Sequence, residues 1–230
     1  MMRVFVHMPK CAGTSTIHLM NKYVGEQHIQ RQPNVDFLRS VSNRNELVSL
    51  YKTKPISVSG NPIIVGHIFP IRYVSQSNLN EGFRLVTILR DPIQRLMSHY
   101  KFFTENTFKG HYHWECFQLQ DGSFEEFAFS PEMQNMYSSY ISGVDINMFT
   151  YIGVYEDLEV SVKACLDLFD ISYPDEVAVP VKNKTNSNTA ICISSELEQS
   201  LKDFHSDDYA IYNFALNKFH KKEARCSDGF

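Results

Sequence analysis

The sequence is poor in cysteine, and the cysteines it has are not arranged in pairs. The five of them lie far apart along the chain, at Cys11, Cys116, Cys165, Cys192 and Cys226. No CxxC pair and no cysteine–histidine cluster with zinc spacing occurs, which argues against a structural zinc site. The odd number and wide spacing also argue against a disulfide framework, so we expect reduced thiols.

Long hydrophobic runs are also absent. No stretch approaches the roughly 18–20 apolar residues that a membrane-spanning helix needs. The chain leads directly into Arg3-Val4-Phe5-Val6 without the pattern of a signal peptide. We therefore expect a cytoplasmic protein with no transmembrane segment, or the luminal part of a longer membrane-anchored parent.

The sequence has no large excess of charge of either sign. Its formal net charge is −4, and acidic and basic residues are mixed along most of the chain. This balance argues against a general polyanion-binding surface and against a nucleic-acid partner. The basic cluster Lys218–Arg225 is interpreted as a solvated helix end. Any anion site must then be a local pocket that forms on folding.

The composition does supply a hydrophobic core. Hydrophobic residues make up 43% of the 230 positions, which is enough for a core without disulfides or metals. We predict a single α/β domain over residues 1–230. Four short apolar segments, rich in β-branched residues, are predicted strands: Met2–His7, Pro62–His67, Phe83–Leu89 and Tyr151–Val154.

Helical patterns alternate with these strands. One helix is predicted after Thr16, and another starts at Asp91-Pro92, where aspartate suits the N-cap and proline the first turn. Further predictions are helices over Asp157–Phe169 and Ser194–Lys222, a surface insertion over Phe108–Phe117 and a loop over Lys182–Thr189. The alternation predicts a P-loop-like parallel sheet flanked by helices, which binds ligands at the carboxyl ends of its strands.

The segment Lys10–Thr16 lies between the first strand and a helix. Such a loop presents backbone N–H groups and a helix dipole to an anion. Gly13 permits close approach of the backbone, the hydroxyl residues after it add donors, and Lys10 adds a positive charge. The lysine precedes the glycine, so this is not the Walker A order. The alternative is an ordinary strand–helix turn with an exposed lysine.

A second basic motif, Arg90 to Tyr100, follows the third predicted strand. Arg90 ends the strand, and Ser98 lies two helical turns further on. Both side chains can converge on a second anionic group, with bidentate contacts from the guanidinium. The alternative is a helix cap beside one solvated arginine.

Together these motifs resemble a known family. The segment His7-Met8-Pro9-Lys10-Cys11-Ala12-Gly13-Thr14-Ser15 resembles the 5′-phosphosulfate loop of the Golgi carbohydrate sulfotransferases, especially the heparan sulfate 2-O-sulfotransferase group, which typically reads H-I-P-K-T-A-G-T-S. Arg90 to Ser98 resembles the 3′-phosphate motif R-D-P-x-x-R-x-x-S of the same family. Val154 to Leu158 is similar to the Y-E-D-L segment of cytosolic sulfotransferases. The resemblance covers about the first 170 residues and implies the sulfotransferase fold.

The resemblance also implies a co-substrate, 3′-phosphoadenosine 5′-phosphosulfate (PAPS), and roles for individual residues. The 5′-phosphosulfate would be held by Lys10, Cys11, Ala12, Gly13, Thr14, Ser15 and Thr16. Lys10 would neutralise the leaving oxygen. Arg90, Ser98 and, in a late basic loop, Lys184 would hold the 3′-phosphate, and Tyr155 would contact the adenine. The family usually has threonine where this chain has Cys11, which removes a hydroxyl donor but keeps the backbone N–H.

Sulfuryl transfer requires a base for the acceptor proton. His67 ends the second predicted strand and resembles the glycine–histidine of the 2-O-sulfotransferases, where a histidine is the proposed base. An ordinary imidazole pKa near ~6.5 suits that role. The alternative is a structural, hydrogen-bonding histidine.

The remaining aromatic and histidine residues have less specific readings. His7 is expected to be half-buried and His99 to face solvent. His111 and His113, with Tyr112 and Trp114, would either stack on a sugar ring or pack as part of the surface insertion. Met133, Met136 and Tyr137 are expected in the core.

Three functions remain open at this level. The leading one is metal-free sulfuryl transfer from PAPS to a hydroxyl of a carbohydrate or glycolipid, because lysine and backbone donors can replace the magnesium of kinases. The second is a P-loop small-molecule kinase, which the order of lysine and glycine disfavours. The third is a nucleotide- or glycan-binding module without turnover. The acceptor and the oligomeric state are not encoded in any recognisable motif.

Overall fold

The structure is a computed structural model that describes residues 1–32, 41–56, 60–75, 79, 82–119, 122–180 and 191–227, the side chains of 41–44 and 219–227 excepted. Its centre is a five-stranded parallel sheet. The strands are β1 (Met2–Val6), β2 (Ile29–Arg31), β3 (Ile63–Gly66), β4 (Phe83–Leu89) and β5 (Tyr151–Val154), in the order β2-β3-β1-β4-β5.

The first strand is the middle strand of the sheet and pairs with β3 on one side and β4 on the other. Val6 lies opposite Gly66 of β3 and Thr87 of β4. The hydroxyl of Thr87 also donates to the carbonyl oxygen of Val6 at 2.8 Å. Since all pairs are parallel, the loops after β1, β3, β4 and β5 leave the sheet at one edge. The predicted parallel sheet is confirmed.

Helices cover the sheet on both faces. They are α1 (Gly13–Val24), α2 (Val41–Thr53), α3 (Pro92–Glu105), α4 (Tyr112–Gln118), α5 (Phe124–Ala128), α6 (Met136–Ile141), α7 (Leu158–Leu168), α8 (Ser195–Phe204) and α9 (Ser206–Ser227). The predicted cap of α3 is confirmed, since Asp91 Oδ1 accepts a hydrogen bond from the N–H of Gln94 at 2.9 Å.

Two elements differ from the sequence-based expectation. The short edge strand β2 was not predicted, because three residues carry too little pattern. The segment Phe108–Phe117 is not a surface insertion: it contains most of α4, buries His113 and Phe117, and packs on α3. The indole N–H of Trp114 donates to the carbonyl oxygen of Asn106 at 3.0 Å, so the ring is held against α3. Among the described helices, none combines the length and apolarity that crossing a membrane would require.

Candidate active site

The carboxyl ends of the strands open into one cleft of about 1070 Å³. Nine residues predicted from the sequence line it: Lys10, Ala12, Gly13, Thr14, Ser15, His67, Arg90, Ser98 and Tyr155. The two other predicted loop residues, Cys11 and Thr16, are buried behind the lining. Lys184 lies outside the described residues. Parallel topology thus brings together segments that are up to 145 positions apart in sequence, from Lys10 to Tyr155.

The loop after β1 has a backbone shape suited to an anion. Lys10 and Ala12 both have left-handed backbone angles, with φ of 63° and 60°. Such angles are uncommon outside glycine and cluster at binding sites. Gly13 then starts α1, and the first N–H groups of a helix have no partner within it. The loop therefore lies at the positive end of a helix, which favours a bound anion.

Two members of the predicted loop turn inward instead. The N–H of Cys11 already donates to the carbonyl oxygen of Met8 at 3.3 Å, and its thiol contacts Pro9 and Tyr137. The hydroxyl of Thr16 donates to the carbonyl oxygen of Ala12 at 3.1 Å. Both residues therefore support the loop from behind, and their polar groups are used within the protein.

Lys10 and Arg90 give the cleft its positive charge. The Nζ atom of Lys10 lies 3.9 Å from the centre of the Phe102 ring. Burial, and to a lesser extent the nearby Arg90, lower the pKa of Lys10 to about 8. Two cations in one cleft repel each other, and an anion bound between them would relieve that cost.

The guanidinium of Arg90 is oriented by an aromatic ring. Its Cζ atom lies 4.3 Å from the centre of the Tyr155 ring, a cation–π contact at the end of β5. Ser98 lies two turns along α3 and lines the same cleft. The motif after β4 and the tyrosine after β5 thus meet, as their shared sheet edge predicts.

A buried tyrosine that sequence reasoning placed only in the core joins the two motifs. The hydroxyl of Tyr137 donates to the carbonyl oxygen of Arg90 at 2.7 Å, and the N–H of Arg90 donates back to it at 3.1 Å. The same oxygen lies 3.4 Å from Cys11 Sγ. No local signal marks this role, because Tyr137 reaches both loops from α6 through tertiary packing alone.

His67 is held by its neighbours. Its Nδ1 atom is 2.5 Å from the carbonyl oxygen of His7, and its ring stacks on the His7 ring with centroids 4.1 Å apart. A carbonyl oxygen can only accept, so the proton lies on Nδ1 and the lone pair on Nε2. Burial lowers the pKa of His67 to about 4. The expected value near ~6.5 was wrong, because the strand end is more enclosed than its sequence suggests.

Of the other histidines, His99 is more buried than expected. His99 was expected to face solvent, and that prediction was wrong: the side chain is buried, with its ring 4.5 Å from that of Phe103. His7 is half-buried, as predicted, and its ring fills the space where a side chain on Gly13 would lie. His111 and His113 line the cleft from α4 and the residue before it.

A buried charge lies beneath the site. Arg95, the second arginine of the Arg90 motif, is fully buried, with Nη1 3.2 Å from Met136 Sδ and its guanidinium 5.7 Å from the Tyr137 ring. Burial raises the pKa of the enclosed Asp208 to about 6, while Arg95 acts in the opposite direction. Among the described residues, no group of three histidines, cysteines or carboxylates has the geometry of a metal site.

Comparison with known proteins gives one clear family match. A model of the sulfotransferase family matches residues 4–215. No curated protein matches the chain. Solved structures to which it is similar include a sulfotransferase from Alicyclobacillus acidocaldarius, 14% identical with a TM-score of 0.42, over 92% of this chain and 94% of that one. Another is mouse sulfotransferase SULT7A1 complexed with PAP, 15% identical with a TM-score of 0.37, over 75% of this chain and 59% of that one.

Proposed function

The chain belongs to the sulfotransferase family, and we propose that it transfers a sulfuryl group from PAPS to a hydroxyl of a carbohydrate. The observation that carries this proposal is the meeting of two cationic motifs in one cleft. Lys10 with its loop lies at one strand end, Arg90 lies at the next, and Tyr137 contacts both segments. PAPS carries one phosphate on the 3′ position and another on the 5′ position of its ribose, which matches this pair of sites.

The residues of the cleft suit the donor as follows. The N–H groups at the start of α1 and the Lys10 ammonium hold the 5′-phosphosulfate. Gly13 has no side chain, and the His7 ring occupies the space that a side chain there would need. Arg90 and Ser98 hold the 3′-phosphate, which ADP and ATP lack. Tyr155, against the Arg90 guanidinium, contacts the adenine. Lys184 belongs to this donor site as a prediction from the sequence alone.

The transfer follows an in-line course. The acceptor oxygen attacks sulfur and forms the new O–S bond, while the S–O bond to the 5′-phosphate of the donor breaks with its electron pair on the phosphate oxygen. His67 takes the acceptor proton on Nε2, because the His7 carbonyl keeps the other ring proton on Nδ1. Lys10 stabilises the leaving oxygen. The products are a sulfate ester and 3′-phosphoadenosine 5′-phosphate (PAP).

Ligand-induced stabilisation distinguishes this donor from those of the alternative functions. PAP at about 100 times its Kd should add about 2.7 kcal/mol to the free energy of unfolding, without magnesium. A thermal-shift series with PAP and ADP, each with and without magnesium, measures this. Preference for ADP with magnesium would support the kinase instead. Binding of PAP without any PAPS turnover, over an acceptor array, would support the binding module.

Substitution of Lys10 tests the role at the leaving oxygen. Lys10→Ala should abolish PAPS turnover, because Lys10 is the lysine of the Gly13 loop itself and lines the cleft beside it. Lys22→Ala is the matched control, since Lys22 is exposed near the end of α1 and outside the cleft. Equal turnover in the two variants contradicts the assignment of Lys10.

A further inference from the structure

One side of the cleft is an aromatic wall that none of the donor contacts requires. We define it by Phe102, Phe108, His111 and His113, all of which line the cleft. Centroids of neighbouring rings are 4.8 Å apart for Phe102 and Phe108, 6.2 Å for Phe108 and His111, and 5.8 Å for His111 and His113. The first three side chains are only half-buried, so they keep accessible surface.

The aromatic wall extends between the two groups that flank the transferred sulfuryl group. At one end, Lys10 Nζ lies 3.9 Å from the centre of the Phe102 ring. At the other end, His111 and His113 line the same cleft as His67. In the proposed reaction Lys10 faces the leaving oxygen and His67 the acceptor hydroxyl. An acceptor placed for attack therefore lies against the aromatic wall.

Nothing on the aromatic wall pairs with a charged acceptor. Among the described residues, the lysines and arginines that line the cleft are Lys10, Arg90, Lys101 and Lys202. The first two belong to the donor site. Lys202 is paired with Glu198 at 2.5 Å. Lys101 directly precedes Phe102 on α3, so the two side chains leave the helix about 100° apart. Burial lowers the pKa of His111, which disfavours its charged form.

We propose that the acceptor end of the cleft binds an uncharged sugar, with the apolar C–H face of its ring against Phe102 and Phe108, and that it disfavours sugars bearing a carboxylate. The inference rests on the proposed function and names its substrate class. A uronic acid at this position would lose water from its carboxylate without gaining an ionic partner. Aromatic rings instead bury apolar sugar surface at little cost in conformational entropy.

Three acceptors with one aglycone test the preference: the para-nitrophenyl β-xyloside, β-glucoside and β-glucuronide. They share the ring hydroxyls at C2, C3 and C4. They differ only in the substituent on C5, which is hydrogen, hydroxymethyl or carboxylate. Binding is measured by saturation-transfer NMR on the protein with and without PAP, and turnover by formation of PAP. We expect the xyloside and glucoside to bind at least about tenfold more tightly than the glucuronide. A glucuronide that binds equally well or better, or no binding of any of the three, overturns the inference.

Variants of Phe108 test the aromatic wall itself. Phe108→Leu keeps most of the volume without the ring, so the Kd for the xyloside should rise by about tenfold while PAP binding is retained. Phe108→Trp should keep sugar binding. The control is Phe129→Ala, which removes a ring that packs on Phe204 with centroids 5.1 Å apart and does not line the cleft. Unchanged xyloside binding in Phe108→Leu overturns the role of the wall.

The donor is tested separately in the same samples. A PAP titration of the unmodified protein that shows no binding contradicts the proposed function. The sugar comparison on the protein without PAP still decides the acceptor class in that case. The two failures are therefore distinguishable.

Discussion

At the scale of single residues, the Tyr137 hydroxyl contacts both segments of the proposed donor site. It exchanges hydrogen bonds with the backbone of Arg90 and contacts Cys11 behind the Gly13 loop. We expect Tyr137→Phe to weaken PAP binding by about tenfold, since each buried hydrogen bond contributes about 1 kcal/mol. Isothermal titration of PAP and AMP measures this.

The loss in Tyr137→Phe should be larger for PAP than for AMP, which lacks the 3′-phosphate that Arg90 is proposed to hold. A general loss of folding would affect both ligands alike. Tyr173→Phe, which removes a surface hydroxyl bonded to Asp167, is the control and should bind both ligands as the unmodified protein does. Equal losses for PAP and AMP would show that Tyr137 has no part in orienting Arg90.

Gly13 is required for a reason other than backbone freedom. A Cβ atom on Gly13 would lie 1.8 Å from His7 Cδ2, and His7 in turn supports His67 through its ring and carbonyl oxygen. Gly13→Ala should lower both stability and kcat, with an overpacking cost of about 1–3 kcal/mol. Urea unfolding and PAPS turnover measure these effects.

A double-mutant cycle identifies the clash. Removal of the His7 ring makes room for the new methyl group, so His7→Ala with Gly13→Ala should be more stable than the sum of the two single changes implies. If the losses of stability are additive, the His7 ring is not what a methyl group at position 13 would contact.

At the scale of helices and strands, the start of α3 fixes the Arg90 motif. Asp91 Oδ1 caps the helix through the N–H of Gln94, and Oδ2 accepts a hydrogen bond from the Tyr209 hydroxyl at 3.3 Å. Asp91→Ala should reduce the free energy of unfolding by about 1 kcal/mol, and Asp91→Asn, which can still cap, by much less. Urea denaturation of the two variants checks this; similar losses would assign the effect to charge instead of capping.

Elements with a strong local pattern were predictable from the sequence. Phe83–Leu89 and Tyr151–Val154 match β4 and β5 residue for residue, because buried parallel strands are continuous apolar runs. Prediction was poorer where tertiary packing decides. The three residues of β2 gain their structure from β3, and the 108–117 segment is enclosed by aromatic contacts that no periodicity reveals.

The same distinction holds within the candidate site. Lys10, Arg90 and Ser98 were recognisable because each belongs to a motif at a strand end or on the helix that follows it. Tyr137 was not, since its contacts come from a separate helix. The pKa of His67 also depends on enclosure by residues distant in sequence, so a strand-end position alone could not predict it.

At the scale of the whole molecule, folding buries several histidines, and burial favours their neutral form, which low pH disfavours. Burial lowers the pKa of His7 and His99 well below the ordinary value, and that of His67 and His205 to about 4. Asp208 shifts the opposite way, to about 6. The four histidines bind protons in the unfolded chain below pH ~6.5, but in the folded protein only at much lower pH.

The stabilisation that the four neutral histidines provide should therefore be complete above pH ~6.5 and decline as pH falls from there toward 4. Asp208 offsets part of this, because the folded protein gains its proton between about pH 6 and 4. A net uptake of about three protons on unfolding corresponds to a loss of up to about 4 kcal/mol per pH unit. Urea unfolding at a series of pH values measures the slope.

Substitution of His205 tests this slope, because it removes one of the groups that take up a proton on unfolding. Its Nε2 atom lies 2.9 Å from the carbonyl oxygen of Ala128, and its Nδ1 accepts from the N–H of Asn135 at 3.3 Å. Glutamine can supply one donor and one acceptor without titrating, so His205→Gln should flatten the acid decline by about 1.4 kcal/mol per pH unit. An unchanged slope in a variant that is folded at neutral pH would mean that His205 is not among the groups whose burial makes the protein acid-sensitive.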